Sequence, residues 1–346
     1  MLQIKSVLVV FFLSIAWIFP AASQAASMPN GADASYKWKF ATLAPRGVGW
    51  ARQVEEVLFP VILEECEGDL FVKVYWGGVL GEDADVVAMI KNGRLSGGGF
   101  AGQGATLLCK EFGLFELPFL FNDYGEVDFI KEKMQPVLDE AAARNGLKLF
   151  LWNDQDFDQI YSTRHPIASL EDTKKASFIA WYGPMEETLL HRLGAKTVKV
   201  EVSRAASVLR QGEADAGIAP AIWVAGTQLY SILRYVNPIK IRYSPAPIAA
   251  SLEAWNTLPE EYQTALLSRQ MELQDKFCQG VREDNEKSIK AMLQYGLKEV
   301  RVNPRNLESM RRQALPVWKE MTGVMYSQEL LDEVQAHLEA YRTPTP

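Results

Sequence analysis

Residues Ala88–Gly97, AMIKNGRLSG, finish a helical pattern at Gly93 and then enter a strand of small residues. Residues Ser207–Ala216, SVLRQGEADA, repeat this order further along the chain, with Gly212 at the end of the helix. A glycine that caps a helix and leads into a tight strand is typical of an α/β unit. The repetition predicts two lobes of similar construction, with the strand ends of both lobes facing a shared cleft.

Strand and helix patterns alternate on both sides of these repeats. Strand patterns cover residues 36–42, 70–76 and 147–152, and an amphipathic helix pattern covers residues 50–62. We therefore expect an α/β fold of mixed sheets flanked by helices. Pro60 lies inside the helix pattern and predicts a kink or a break there.

One long helical pattern runs from Leu258 to about Leu297, with Gly280 in its interior. A helix of that length would reach ~60 Å at ~1.5 Å per residue, which exceeds the size of one small domain. If it is unbroken, it must lie across both lobes.

The N-terminal residues have the pattern of an export signal. Lys5 precedes an apolar run from Val7 to Ile18, and Ser23-Gln24-Ala25 supplies small residues at a cleavage site. The run is too short to span a bilayer, which needs ~20 residues. We therefore expect residues 1–25 to be a signal peptide and the mature chain to lie in the periplasm.

The composition argues against several classes of function. The 346-residue chain has 43 acidic and 36 basic residues, a net charge of −7, and no basic tract that would favour nucleic acid. Cys66, Cys109 and Cys278 are too few for a disulfide framework. They indicate either one bridge with a spare thiol or, the interpretation we favour, three buried thiols. The three histidines are far apart, so the sequence predicts no metal site and no cofactor.

Six short motifs follow one another along the mature chain. They are ATLAP (41–45), GGVLG (77–81), ELPFLF (116–121), PI with LED (166–172), LGA (193–195) and WNTLPEEY (255–262). In this order, and together with the export signal, they resemble the solute-binding proteins of TRAP (tripartite ATP-independent periplasmic) transporters. The resemblance covers nearly the whole mature chain.

This resemblance implies a two-lobe, periplasmic-binding-protein-like fold (type II-like) with a ligand cleft between the lobes and a long helix that spans them. Lobe I would comprise residues 36–153 and about 243–275, and lobe II would comprise residues 154–242 and about 276–346. The resemblance also implies a protein that is not an enzyme and that delivers a small molecule to TRAP membrane permease subunits.

Two positions depart from the usual pattern of that family. Counted from Glu171-Asp172, the arginine that clamps a substrate carboxylate in most members falls on Ile179. In the stretch 214–220, which keeps the aspartate and the proline of a second family pattern, Ala219 stands at the position of a polar asparagine. An alkyl group cannot replace a bidentate guanidinium. The chain is therefore similar to a subgroup with aromatic or apolar residues at the arginine position. That subgroup is associated with hydrophobic ligands and with a periplasmic tetratricopeptide-repeat partner.

Aromatic side chains follow several strand ends, where they would line a cleft. Few polar groups accompany them, which suits an apolar or amphipathic ligand. Any one of the aromatic residues, taken singly, is as compatible with the core as with the cleft. The candidate ligand-binding residues are Arg46, Trp50, Phe100, Gln103, Trp152, Asp154, Ile179, Trp181, Tyr182, Ala219 and Trp223.

Two further patterns are better explained by local structure than by a functional site, and the sequence gives little support for catalysis. Asn153–Asp158 spaces three carboxylates as calcium loops do, but Gln159 and His165 stand where such a loop needs glycine and glutamate. We expect a solvated turn at the cleft mouth or hinge instead. Gly97–Gly102 matches GxGxxG without a helix pattern directly after it, which indicates a tightly packed strand. No GxSxG motif occurs.

We therefore expect an exported two-lobe protein that captures an apolar or amphipathic small molecule. In one alternative, the ligand is an organic acid, and Arg46 or Arg204 replaces the lost arginine. In another, the cleft belongs to a sensor or scaffold that regulates a partner rather than feeding a transporter.

Overall fold

The computed structural model describes residue 31 and residues 33–343, so the predicted signal peptide lies outside the described residues. Within this range the chain forms one mixed sheet flanked by helices. The strands are β1 (Tyr36–Ala41), β2 (Leu70–Tyr75), β3 (Gly97–Gly99), β4 (Leu147–Ser162), β5 (Ser177–Ala180), β6 (Lys196–Lys199), β7 (Ala216–Ala219), β8 (Tyr235–Ser251) and β9 (Lys298–Glu299).

The α-helices range from four to 25 residues, and none in the described chain is both long and apolar enough to cross a membrane. They are α1 (Gly49–Gln53), α2 (Phe59–Glu65), α3 (Asp83–Lys91), α4 (Gln103–Leu108), α5 (Phe112–Phe115), α6 (Tyr124–Arg144), α7 (Leu170–Lys175), α8 (Pro184–Arg192), α9 (Val202–Gln211), α10 (Ala221–Gly226), α11 (Leu252–Asn256), α12 (Glu260–Ser268), α13 (Gln270–Gln294), α14 (Pro304–Ala314), α15 (Pro316–Met321) and α16 (Gln328–Arg342).

The sheet has the order β2-β1-β3-β8-β4-β7-β5-β6, with β9 beside β8. Strands β2, β1 and β3 are parallel to one another, and so are β7, β5 and β6. The long strands β4 and β8 pair antiparallel between these two sets. Each parallel set forms the sheet of one lobe, and the two long strands connect them. The predicted two-lobe α/β fold with a mixed sheet is confirmed.

The two sequence repeats occupy equivalent places in the two lobes. After α3, Gly93 has a φ of +73°, and after α9, Gly212 has a φ of +74°, a region that favours glycine. In each repeat the next amide donates back into the helix, from Arg94 to Met89 (2.9 Å) and from Glu213 to Val208 (3.2 Å). The strands that follow, β3 and β7, each pair antiparallel with one of the two long strands.

The pairing of β4 with β8 changes register in three places. One shift lies between Asp154 and Asp156, opposite Pro245, and another lies between Asp158 and Ile160, where Pro238 interrupts β8. Proline has no N–H to donate to a neighbouring strand, so it weakens the ladder where it stands. The irregular part of the ladder lies where the chain passes from one lobe to the other.

Four local predictions need correction. The stretch 153–158 is the middle of β4 rather than a solvated turn, and its three aspartates are buried. The long helical pattern breaks at Arg269, which separates α12 from α13. A short helix, α4, does follow the glycine-rich strand. Near Pro60 the helix continues, but a π-helical turn, Val54–Leu58, comes directly before it.

Helix α13 crosses from one lobe to the other. Phe277 meets Trp50 of α1 with the ring centroids 5.5 Å apart, and Asp284 accepts a hydrogen bond from Gln53 (3.1 Å). The next residue, Asn285, accepts a hydrogen bond from the Ile222 amide of α10 (2.8 Å). This helix is therefore the lobe-spanning element, although it is shorter than the sequence pattern predicted.

The three cysteines are buried free thiols. Burial raises the pKa of Cys66 and of Cys278 to about 12 in each case, so both stay protonated at neutral pH. The interpretation as three buried thiols agrees with the structure.

The substitution Gly97→Ala tests how closely the backbones of β3 and β8 approach each other. A Cβ added there would lie 2.3 Å from the Ala249 carbonyl oxygen, which belongs to the backbone and cannot move away cheaply. We expect Gly97→Ala to lower the free energy of unfolding by about 2 kcal/mol in urea denaturation. Gly226→Ala is the control, because its nearest neighbour, Pro45 Cγ, is 3.8 Å away. Equal stability of the two variants would contradict the tight pairing.

Candidate functional site

A cavity of about 330 Å³ lies between the two lobes, where several strands end. Thr42 follows β1, Phe100 follows β3, and Trp181 follows β5, and all three line the cavity. On the second lobe, Ser203 of α9 and Trp223 of α10 line the cavity together with Trp181. In open α/β sheets, ligands bind at such carboxyl ends of strands.

One wall of the cavity is a group of aromatic rings in contact with one another. The ring centroids of Trp181 and Trp223 are 4.2 Å apart, and Tyr182 stands edge-on to Trp181 at 4.7 Å. The Trp181 indole N–H donates to the Ile218 carbonyl (3.1 Å), which fixes the orientation of this ring. The wall thus offers rigid apolar faces to a ligand.

Trp50 forms part of the facing wall, and a second, apolar space lies behind it. Its indole ring sits over Gly99, where a Cβ would come within 2.2 Å of the ring. A cavity of about 30 Å³ in the core of the first lobe shares Thr42, Trp50 and Gly99 with the larger cavity. Trp38 and Leu58 are among its apolar lining residues. Trp50 therefore separates the cleft from an apolar pocket.

The polar groups on the cavity wall are few, and none is cationic. Among the described residues that line it there is no lysine, arginine or histidine. Asp83 is the sole carboxylate, and its side chain is nearly buried. Burial, together with the neighbouring Glu82 carboxylate, raises the pKa of Asp83 to about 7, while a hydrogen bond from the Gly104 amide opposes that rise.

Contacts between the lobes close the cavity. The Ser203 amide donates to a Glu82 carboxylate oxygen (3.2 Å), which joins α9 to α3. A Cβ on Gly49 would lie 2.3 Å from the Ile222 side chain, so α1 and α10 also touch. A ligand in the cavity would be enclosed by both lobes.

Residues 40–323 match the family model described as bacterial extracellular solute-binding protein, family 7 (DctP). The chain belongs to this family. Its members are solute-binding proteins of TRAP transporters rather than enzymes, and they bind small molecules and work with a membrane permease.

Two curated relatives of this family 7 protein are periplasmic binding proteins. The 2,3-diketo-L-gulonate-binding protein YiaO of Escherichia coli is 22% identical over 68% of this chain and 73% of its own length. The ectoine-binding protein TeaA of Halomonas elongata is 24% identical over 81% of this chain and 84% of its own length.

Solved structures share the fold of this family 7 protein. A TRAP solute-binding protein from Haemophilus influenzae with bound L-gulonate has a TM-score of 0.80 at 16% identity, covering 87% of this chain and 99% of that one. The sugar-acid-binding protein DctPAm from Advenella mimigardefordensis, in complex with galactonate, has a TM-score of 0.81 at 18% identity, covering 88% and 98%.

The structure brings six of the candidate site residues together on the cavity wall. They are Trp50, Phe100, Gln103, Trp181, Tyr182 and Trp223. Five others lie elsewhere, and each has a structural role instead. Arg46 points outward with 63% of its side chain exposed and pairs with Glu55 (2.7 Å), while Trp152 is buried between Phe112 and Phe115.

Asp154 is also away from the cavity of this family 7 protein. Its carboxylate is buried and pairs with Lys131 and Arg282, the latter at 2.6 Å, and the Tyr243 hydroxyl donates to it. These two cations lower the pKa of Asp154 to about 2 although burial opposes them. In β4, Asp154 therefore forms buried ion pairs within the protein and does not line the cavity.

Ile179 and Ala219 are buried in the core of the second lobe rather than on the cavity wall. Ile179 packs in one cluster with Ala205 and Leu209 of α9, and it lies against Gly217. Side chains alternate along a strand, and the position counted from Glu171-Asp172 falls on the face of β5 that packs against α9. The structure therefore does not place Ile179 on the cavity wall, and the lack of a cation is read from the residues that do line it.

Arg242 is the buried cation that the sequence analysis missed. It pairs with Asp158 (2.6 Å) and Glu186 (3.2 Å), and its guanidinium lies 3.8 Å from the centre of the Tyr182 ring. All three charged side chains are fully buried. Arg242 thus supports the cavity wall from behind Tyr182, and no spacing in the sequence pointed to its two partners.

Glu116, from the ELPFLF motif, lies near this buried group. Both of its carboxylate oxygens are buried without a hydrogen-bond partner. Burial raises the pKa of Glu116 well above its usual range, and Asp158 and Glu186 raise it further. Across the described residues, no group of three histidine, cysteine, aspartate or glutamate side chains is arranged to hold a metal ion.

Asp83→Asn tests the electrostatics of the cavity wall. Because folding raises the pKa of Asp83 from 3.8 to about 7, the folded state binds the proton more tightly, and stability falls as the pH rises through this interval. The amide has no charge to bury. We expect Asp83→Asn to raise the Tm of the ligand-free protein at pH 8, and by clearly less at pH 5. Exposed Asp85→Asn is the matched control, with no pH-dependent gain.

Arg242→Met tests the buried ion pairs. It leaves the Asp158 and Glu186 carboxylates buried without a cation, and we expect a loss of about 3–5 kcal/mol in guanidinium denaturation. Adding Asp158→Asn removes one stranded charge, so the double variant should be more stable than Arg242→Met alone. A double variant that is no more stable would show that the pair with Asp158 does not carry the effect.

Proposed function

We propose that this chain is the periplasmic binding subunit of a TRAP-type transporter for an apolar or amphipathic small molecule. The ligand is held between the aromatic wall of Trp181 and Trp223 and the facing Trp50, and the membrane permease subunits receive it. The mature protein lies in the periplasm after the signal peptide 1–25 is removed.

The absence of a cation from the described cavity wall carries this proposal. Carboxylate ligands are bound most strongly by paired, charge-assisted hydrogen bonds, usually from arginine. Aromatic faces and the apolar space behind Trp50 favour hydrocarbon instead, at ~0.8 kcal/mol for each CH₂ group removed from water. Such a cleft supports an apolar or amphipathic ligand over the sugar acids named for two of the solved structures.

The organic-acid alternative needs a cation that reaches the ligand. Arg46 is engaged with Glu55 at the surface, and Arg204 is exposed on α9 without lining the cavity. Arg242 is separated from the cavity by the Tyr182 ring and is already paired with two carboxylates. The alternative therefore requires Tyr182 to move aside, and it is the weaker of the two.

The register shifts of β4 and β8 support the proposed lobe division at residues 153/154 and 242/243. A ladder interrupted by prolines bends more easily than a regular one, so the lobes would close around the ligand by a hinge motion there. The closed form would dock on the permease. A tetratricopeptide-repeat partner is a further proposal that rests on the subgroup resemblance, and co-purification from the native periplasm tests it against the sensor or scaffold alternative.

Mass spectrometry of a denaturing extract of the purified protein is the direct test. We expect an amphipathic molecule without a carboxylate, at close to one per protein, because the cavity is enclosed and apolar. A sugar acid or dicarboxylate at that ratio would overturn the proposal in favour of the organic-acid alternative.

Trp223→Ala tests the aromatic wall. Removal of this ring opens the wall beside Trp181, and we expect at least a tenfold loss of affinity for the extracted molecule, measured by isothermal titration calorimetry. Tyr295→Ala is the control, because this side chain is 75% exposed and does not line the cavity. Unchanged affinity of Trp223→Ala would show that the ligand binds elsewhere.

A further inference from the structure

We infer that Asp83 binds a protonated amine of the ligand, so that the substrate class is an amphipathic molecule with an ammonium group at one end. This inference rests on the proposed function and specifies the polar end of the molecule that the cleft takes.

Asp83 is the one carboxylate among the described residues that line the cavity, where uncharged polar groups are few. It is the first residue of α3, its side chain is nearly buried, and it lines the cavity. Its carboxylate lies against Gly104, whose amide lowers the pKa of Asp83 and so favours the ionised form. Among the described residues, no cationic side chain pairs with it, in contrast to Asp154 and Asp158, which both have cationic partners.

A buried carboxylate without a cation is costly, and a cationic ligand removes that cost. The free energy lost by burying an unpaired charge is several kcal/mol, and it is recovered when a partner of opposite charge forms a charge-assisted hydrogen bond. Glu82, the nearest charged side chain, adds negative charge on the same side of the cleft. Both carboxylates repel an anionic ligand and attract an ammonium.

The Tyr182 ring lines the same cavity as this carboxylate. The Tyr182 ring rests against Gly102, and Asp83 rests against Gly104, so the two line the wall on either side of the start of α4. An ammonium group placed between them would gain a hydrogen bond from its N–H to Asp83 and a cation–π contact with an aromatic face. The hydrocarbon part would then extend toward Trp50 and the apolar pocket behind it.

A purely structural role for Asp83 would be to cap the start of α4 through the Gly104 amide. The substitution Asp83→Asn distinguishes the two roles. The asparagine side chain keeps an oxygen that accepts the same hydrogen bond, but it has no charge to attract an ammonium. Asp85→Asn, two residues further on the same helix, is exposed and is the matched control.

The test uses three probes that share an eight-carbon hydrocarbon chain and differ in their polar end: octylammonium, 1-octanol and octanoate. Their affinities are measured by calorimetry at pH 8 on protein freed of co-purified molecules. Wild-type protein should bind octylammonium at least tenfold more tightly than octanoate. Asp83→Asn should weaken octylammonium at least tenfold and leave 1-octanol within twofold. Asp85→Asn should leave all three affinities unchanged.

The outcomes separate this inference from the proposed function. If 1-octanol binds but octylammonium has no advantage over octanoate, or keeps its affinity in Asp83→Asn, the role of Asp83 is wrong and the apolar cleft stands. If octanoate binds most tightly, or if none of the three binds, the proposed function fails, and the inference fails with it.

Discussion

The antiparallel pairing of β4 with β8 is the constraint on which the rest of the structure depends. Each lobe has its own parallel strands, and within the described sheet these two sets are joined through the two long strands. Parallel strands direct their carboxyl ends to one edge, so a shared connection brings the ends of β1, β3 and β5 to one cleft. The cleft is thus a consequence of topology before any side chain is considered.

The long strands carry charge into the interior, and the protein neutralises it there. Asp154 is paired with Lys131 and Arg282, and Asp158 is paired with Arg242. Breaking such a buried pair strands an uncompensated charge, whereas the intact pair adds little net stability. These cations are therefore committed to structural partners. The cavity beside them has Asp83 as its charged group, and the proposed ligand class rests on this contrast.

Sequence patterns predicted the fold because its signals are local. The helix–glycine–strand repeats around Gly93 and Gly212 depend on a backbone conformation that glycine adopts readily, and both are present as expected. Aromatic residues after strand ends also predicted much of the cavity wall, including Trp181 and Trp223. The prediction was wrong for the acidic stretch around Asp156, because alternate acidic residues resemble a solvated loop unless their buried cationic partners are known.

By itself, the sequence determined the fold class, the order of elements and the aromatic character of the cleft, since these follow from hydrophobic periodicity and helix-capping residues close together in the chain. Only the tertiary structure decided which polar groups reach the cleft. Arg242 meets Glu186, and Asp83 meets Gly104, across distances in sequence that no local pattern records. A charged side chain can pair with another residue of the protein, or it can line the cavity without such a partner. Which of the two occurs depends on burial and on neighbours from other elements, and both are properties of the folded chain.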